Sequence, residues 1–159
     1  MKTTKLLLKT SVLAMLLSTP ALARDTLIGA DNPEGILKIA QEFGNAELTV
    51  DSYGDPMIEA EMNDTTYRIV FYDCDMDGSD CGAINFGAMW YNENNVSLRD
   101  INNWNSTERY GQAYLDSDKD PNLDFEVNLE HGVTVRNLEA TFENWETALM
   151  TFESEMLGY

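Results

Sequence analysis

Apolar positions recur along the chain with two different spacings, and the switches between them mark out its elements. Ile36, Ile39, Ala40 and Phe43 fall at helical intervals. Before them Asn32-Pro33-Glu34 offers a cap, a proline at the first helical position and an acid in the first turn, and after them Gly44 offers a stop. A short, one-sided helix is predicted here, after a lead-in over 24–31. The period then changes to two. Residues 46–53, 56–62, 66–73 and 83–91 alternate apolar with polar positions, with Gly54-Asp55, Asn63-Asp64 and an acidic loop between them. That pattern predicts four strands in an antiparallel meander.

Val96, Leu98, Ile101 and Trp104 return to a partial helical period over 94–106, with Ser97 available as a cap. A second hairpin, 109–116 with 122–130, surrounds 117–121. In its latter strand Leu123, Phe125, Val127 and Leu129 alternate with Asp124, Glu126, Asn128 and Glu130, so one face is buried and the other wet. The last segment carries Val135, Leu138, Phe142, Trp145, Leu149, Phe152 and Met156 at alternating spacings of three and four. This is a helix of about six turns with a narrow apolar seam, and Glu139, Glu143, Glu146, Glu153 and Glu155 are expected on its wet side. Such a seam can cover a sheet or pair with a second copy in a homodimer. A sheet with one apolar face needs a cover, which favours the first use. The fold class is therefore α+β, an antiparallel sheet flanked by helices in the order α-β-β-β-β-α-β-β-α.

The amino terminus adds a compartment. Lys2 and Lys5 precede an apolar run over 6–17, followed by Ala21-Leu22-Ala23. This is the layout of a secretory signal over 1–23, leaving one domain over 24–159, exported to a bacterial periplasm and free of the membrane once cleaved. Removing that leader takes away three lysines and no acids, so the net charge moves from −18 to −21. A field of that sign repels phosphate backbones and anionic lipid, which argues against nucleic-acid and membrane-surface binding and favours solubility, through a solvated acidic surface, or cationic partners. The 43% hydrophobic content excludes a disordered chain.

Candidate chemistry concentrates in the acidic loop, Asp73-Cys74-Asp75-Met76-Asp77-Gly78-Ser79-Asp80-Cys81-Gly82. Cys74 and Cys81 are the only two cysteines, and they stand at the inner ends of two strands expected to pair. A structural disulfide is the reading, closing a short loop and stabilising the fold by roughly 2–3 kcal/mol. Asp73, Asp75, Asp77 and Gly78 match the first half of an EF-hand loop, a candidate calcium site. The match stops at Ile84, where a bidentate glutamate belongs, and the flanks read as strands. His131 is the sole histidine and precedes Gly132 in a turn. No Gly-x-Ser-x-Gly element, phosphate-cradling loop or dinucleotide fingerprint is present, so no catalytic residue and no cofactor is assigned.

An ordered set of segments nonetheless resembles a known family. Tyr67-Arg68-Ile69-Val70-Phe71 precedes the acidic loop and Cys81-Gly82-Ala83-Ile84-Asn85-Phe86 follows it. Asn103-Trp104-Asn105, then 109–116, then Leu129-Glu130-His131-Gly132-Val133 and the helix bearing Trp145 complete the set. In these features the chain is similar to the YbjN family of bacterial proteins, over nearly all of 24–159. The resemblance implies a fold like the type III secretion chaperones and a regulatory role, and brings no catalytic residues. The leader and the paired cysteines set this chain apart from cytoplasmic members. The leading functional expectation is a non-enzymatic periplasmic binding, regulatory or chaperone-like module with a protein or peptide partner. A periplasmic hydrolase using Asp and Glu carboxylates, and a weak calcium binder through loop 73–80, are the alternatives.

Overall fold

The computed structural model describes residues 26–91 and 95–158; the expected signal segment 1–23 lies outside the described residues. The order of elements is β1 (Leu27–Ile28), α1 (Pro33–Phe43), β2 (Asn45–Val50), β3 (Pro56–Met62), β4 (Thr65–Tyr72), β5 (Ala83–Met89), α2 (Leu98–Thr107), β6 (Gln112–Leu115), β7 (Pro121–Asn128), β8 (Val133–Thr134) and α3 (Val135–Phe152), which continues as a π-helical turn over Glu153–Leu157. β2 to β7 form an antiparallel six-stranded sheet in the order β2-β3-β4-β5-β7-β6. The expected α+β architecture holds. The order differs from expectation only by β1 and β8, which pair with each other as Leu27 with Thr134 and Ile28 with Val133. Two residues are too few to display a period.

Each helix begins where a side chain satisfies a free backbone N–H. Asn32 accepts from Gly35 N at 3.0 Å in α1, and Thr134 Oγ1 accepts from Asn137 N at 3.2 Å in α3. In α2, Ser97 and Asp100 form a reciprocal capping box. Gly44 does stop α1, but its φ of 167° is ordinary extended backbone. Glycine is required there because a Cβ would overlap the carbonyl oxygen of Glu61, where the chain turns directly into β2.

Turn chemistry sets the strand register. Asn63 and Asp64, both at positive φ, make the two-residue connection between β3 and β4. The tips at 51–55, 75–79 and 116–120 share another device, in which the first residue's N–H donates to the fifth residue's carbonyl and the fourth residue's N–H donates back. Gly54, Gly78 and Lys119 take the left-handed fourth position, giving a turn with a bulge whose twist suits a hairpin.

All three helices lie on one face of the sheet. Trp145, Phe142 and Leu138 of α3 are fully buried over β4 and β5, with Trp145 5.8 Å from Tyr67 and 5.6 Å from Phe86 between ring centroids. Phe142 stacks on Phe43 of α1 at 5.2 Å and meets Phe86 edge-on at 4.9 Å. Phe152 joins α2 through Trp104 at 5.0 Å. The seam of α3 thus covers the sheet of its own chain. Burial beneath α3 pushes the Tyr67 hydroxyl pKa up. The indole N–H groups of Trp104 and Trp145 are buried with no acceptor, so aromatic packing holds both rings.

The wet side of α3 is less wet than its sequence predicts. Glu153 is half-buried and accepts from Trp90 Nε1 at 3.2 Å and from the Thr65 hydroxyl. Glu146 accepts from Asn63 Nδ2 at 2.9 Å. The two carboxylates fasten α3 and its π-helical turn to the β3–β4 turn, to the start of β4 and to Trp90 just past β5, contacts that no spacing within the helix reveals.

Because Trp145 joins the layers, Trp145→Ala is expected to cost about 3–5 kcal/mol. Urea denaturation should show the loss, and a variant that remains as stable as the parent would mean that α3 does not carry the core.

Candidate functional site

In a meander, alternate connections fall at the same end of the sheet, so tip 51–55 and loop 73–82 lie together. They touch, since a Cβ on Gly78 would lie 3.1 Å from the carbonyl oxygen of Gly54. β7 ends beside them, and the turn from β7 to β8 brings His131 to the same region. The result is a half-open cleft of about 710 Å³ with Asp31, Asp73, Asp80, Glu126, Glu130 and His131 on its walls. Its five carboxylates come from the lead-in to α1, the disulfide loop, β7 and the β7–β8 turn. All five are exposed to water.

Cys74 and Cys81 are bonded, with their sulfurs 2.09 Å apart. Asp73 and Asp80, beside the two cysteines, take left-handed backbone at φ 56° and 49°, which turns the chain sharply at both ends of the loop. Gly82 N–H donates to Tyr72 O at 3.0 Å, and Gly82 O accepts from Leu129 N at 2.9 Å. The mouth of the loop is thereby tied to β4 on one side and to the end of β7 on the other. This joins Asp80 and Glu126 in one wall-to-wall arrangement although 46 positions separate them.

The three carboxylates read as a half EF-hand are not gathered. Asp73 faces the cleft. Asp77 instead accepts from the hydroxyl and the N–H of Ser79, at 2.6 and 3.3 Å, which holds its carboxyl below the ordinary value. Asp75 contributes its backbone N–H and C=O to the tip. Among the described residues no group of three or more His, Cys, Asp or Glu side chains has the geometry to hold a metal ion. His131 is exposed, with Nε2 3.9 Å from Glu130 Oε1.

On the outer sheet face, sequence spacing missed a lateral row. Glu47 lies directly opposite Glu59, Glu59 opposite Arg68, Arg68 opposite Gly87, and Gly87 opposite Asp124. Asp124 is half-buried; desolvation raises its carboxyl pKa, and a hydrogen bond from the Tyr114 hydroxyl opposes that rise only in part. Only strand register brings these residues side by side, and register depends on the turns.

Comparison with known proteins agrees with this architecture. A family model named YbjN, described as "Putative bacterial sensory transduction regulator", matches residues 32–158. Among solved structures, a chain in "Crystal Structure of the ExsC-ExsE Complex" is similar with a TM-score of 0.52 at 12% identity, covering 84% of this chain and 100% of that one. At that identity the likeness is one of fold, and it accords with the expected chaperone-like architecture. No curated protein matches the chain.

Three measurements check these features. Reducing Cys74–Cys81 should lower the unfolding midpoint, by an amount equivalent to about 2–3 kcal/mol. Added calcium should leave the midpoint nearly unchanged, because Asp77 is engaged by Ser79 and no described group of three acids has the geometry to hold a metal ion; a saturable rise at sub-millimolar calcium would contradict this. For Asp124 the sign follows from its raised pKa. The folded state retains the proton longer than the unfolded state, so this group's contribution is favourable at low pH and is lost as pH rises above the ordinary 3.8. Asp124→Asn should therefore be more stable than the parent at pH 7, and chemical denaturation should find the advantage gone below about pH 4.

Proposed function

The chain belongs to the YbjN family, and from that membership, its fold and its acidic cleft we propose that it is a non-enzymatic binding module of the bacterial periplasm, where it engages a basic segment of a protein partner. The observation that carries this reading is the convergence of five exposed carboxylates on one cleft braced by the disulfide loop. Charge of one sign on a concave wall attracts cations over several ångströms and speeds encounter with them. The chain's net charge of −18 extends the same bias over the whole molecule. A similarly folded chain sits in the ExsC-ExsE complex, and engagement of a protein partner fits that precedent.

The signal-like pattern of Lys2, Lys5, the apolar run over 6–17 and Ala21-Leu22-Ala23 supports the choice of compartment. In this reading the leader is removed after Ala23, the working protein begins at Arg24, and the disulfide is formed in an oxidising space. Intact mass of protein recovered from the periplasmic fraction should begin at Arg24. Recovery of the uncleaved chain from the membrane fraction would overturn the location.

Binding is tested by capture from periplasmic extract with and without chemical crosslinking. The expected result is a basic partner recovered at low salt, reduced as salt rises, and reduced again when Asp73, Asp80 and Glu126 are replaced by Asn, Asn and Gln. Capture of nothing above background under both conditions would overturn the reading.

A further inference from the structure

The two edges of the six-stranded sheet are finished differently. At the β6 edge, Asn105 of α2 reaches across and pairs with the backbone of Ala113 in both directions: Ala113 N donates to Asn105 Oδ1 at 2.8 Å, and Asn105 Nδ2 donates to Ala113 O at 3.0 Å. One side chain thus stands in for the next strand and closes the edge. At the β2 edge the corresponding contact is a single bond from Gln41 Nε2 to Ala46 O at 3.2 Å, near the start of the strand. Beyond it, no strand lies beside Glu47 to Val50 on that side among the described residues. Asn45, Glu47, Leu48 and Val50 are exposed, and the strand contains no proline, lysine or bulge of the kind that protects free edges.

The side chains along this edge sort by face. Leu48 lies opposite the fully buried Ile58, and Val50 opposite Pro56, so both extend the helix-covered apolar face past its cover, 37% and 62% exposed. On the outer face Glu47 is set directly against Glu59, and Asn45 against Glu61. Like charges directly opposite one another on a sheet are unfavourable, and Arg68 lies on the far side of Glu59 from Glu47. A strand added beside β2 would place alternate residues next to Leu48 and Val50, and the intervening ones next to Glu47.

We propose that β2 is a strand-addition site, resting on the binding reading above, whose occupant is an extended segment of a protein partner alternating apolar residues with Lys or Arg. Backbone pairing supplies affinity, apolar residues finish the cover over Leu48 and Val50, and the cations relieve the Glu47–Glu59 repulsion. A second copy of this chain is the poorer occupant, because antiparallel β2 pairing would bring two such acid pairs together.

The test uses the intact, disulfide-bonded protein and a blocked nine-residue peptide of alternating Lys and Val, followed by fluorescence anisotropy and by hydrogen exchange. Expected are slower exchange confined to 45–50, and loss of binding when alternate peptide amides are N-methylated. Leu48→Lys and Glu59→Lys, both at exposed positions, should each weaken binding by about fivefold or more. Protection at β6 or the cleft with β2 unchanged, equal binding of the N-methylated peptide, or no binding up to about 1 mM would overturn the edge site. So would concentration-dependent protection of β2 without peptide, which would assign the edge to self-pairing. Those results leave the binding reading to the capture experiment, so the two can fail separately.

Discussion

One packing relation organises this molecule: the aromatic seam of α3 lying on the apolar face of β4 and β5. Trp145, Phe142, Tyr67 and Phe86 meet there with centroids about 5–6 Å apart, joining α3 to the central strands β4 and β5. A sheet of this kind cannot leave that face in water, since each large side chain buried there contributes on the order of 2 kcal/mol. α1 and α2 are extensions of the same cover, joined to it through Phe43 and Trp104. The carboxylates of Glu146 and Glu153 then secure the far end of the helix to the strands beneath it.

Covering a sheet from one side leaves its other face and its edges to be settled by different means. Here the outer face is polar, with a row of charges running across the strands. One edge is closed by the Asn105 side chain and the other is open. The disulfide loop and its neighbouring tip place a dense set of acids at one end. A protein arranged this way has its packed core on the helical side and its exposed carboxylates and exposed apolar strip at the cleft and β2. That division suits a binding module, whose recognition surfaces gain from a stiff support.

The acidic loop illustrates how local pattern and tertiary setting diverge. Alternate aspartates followed by glycine are the beginning of a calcium loop in a helical frame. Between two strands the same residues form a hairpin tip, where Asp77 is engaged by Ser79 and the cysteines close the base. Asp73 and Asp80 become cleft walls instead, paired in space with Glu126 and Glu130 from another hairpin.

By itself the chain's sequence determined the elements and most of their boundaries: periods of two and of three to four, Asn32, Ser97 and Gly54 at their caps and turns, and a seam in α3 long enough to cover a sheet. It also determined the charge, the pairing of Cys74 with Cys81 and the family, because each of these depends on residues near one another in the chain or on an ordered set of segments. Only the tertiary structure decided that β7 inserts between β5 and β6, that Glu153 turns inward, that five acids share one cleft, and that Asn105 closes one edge while β2 remains open. These relations join residues dozens of positions apart through strand register and helix docking. No periodicity records them, since a period describes which face a residue occupies and is silent about what that face meets.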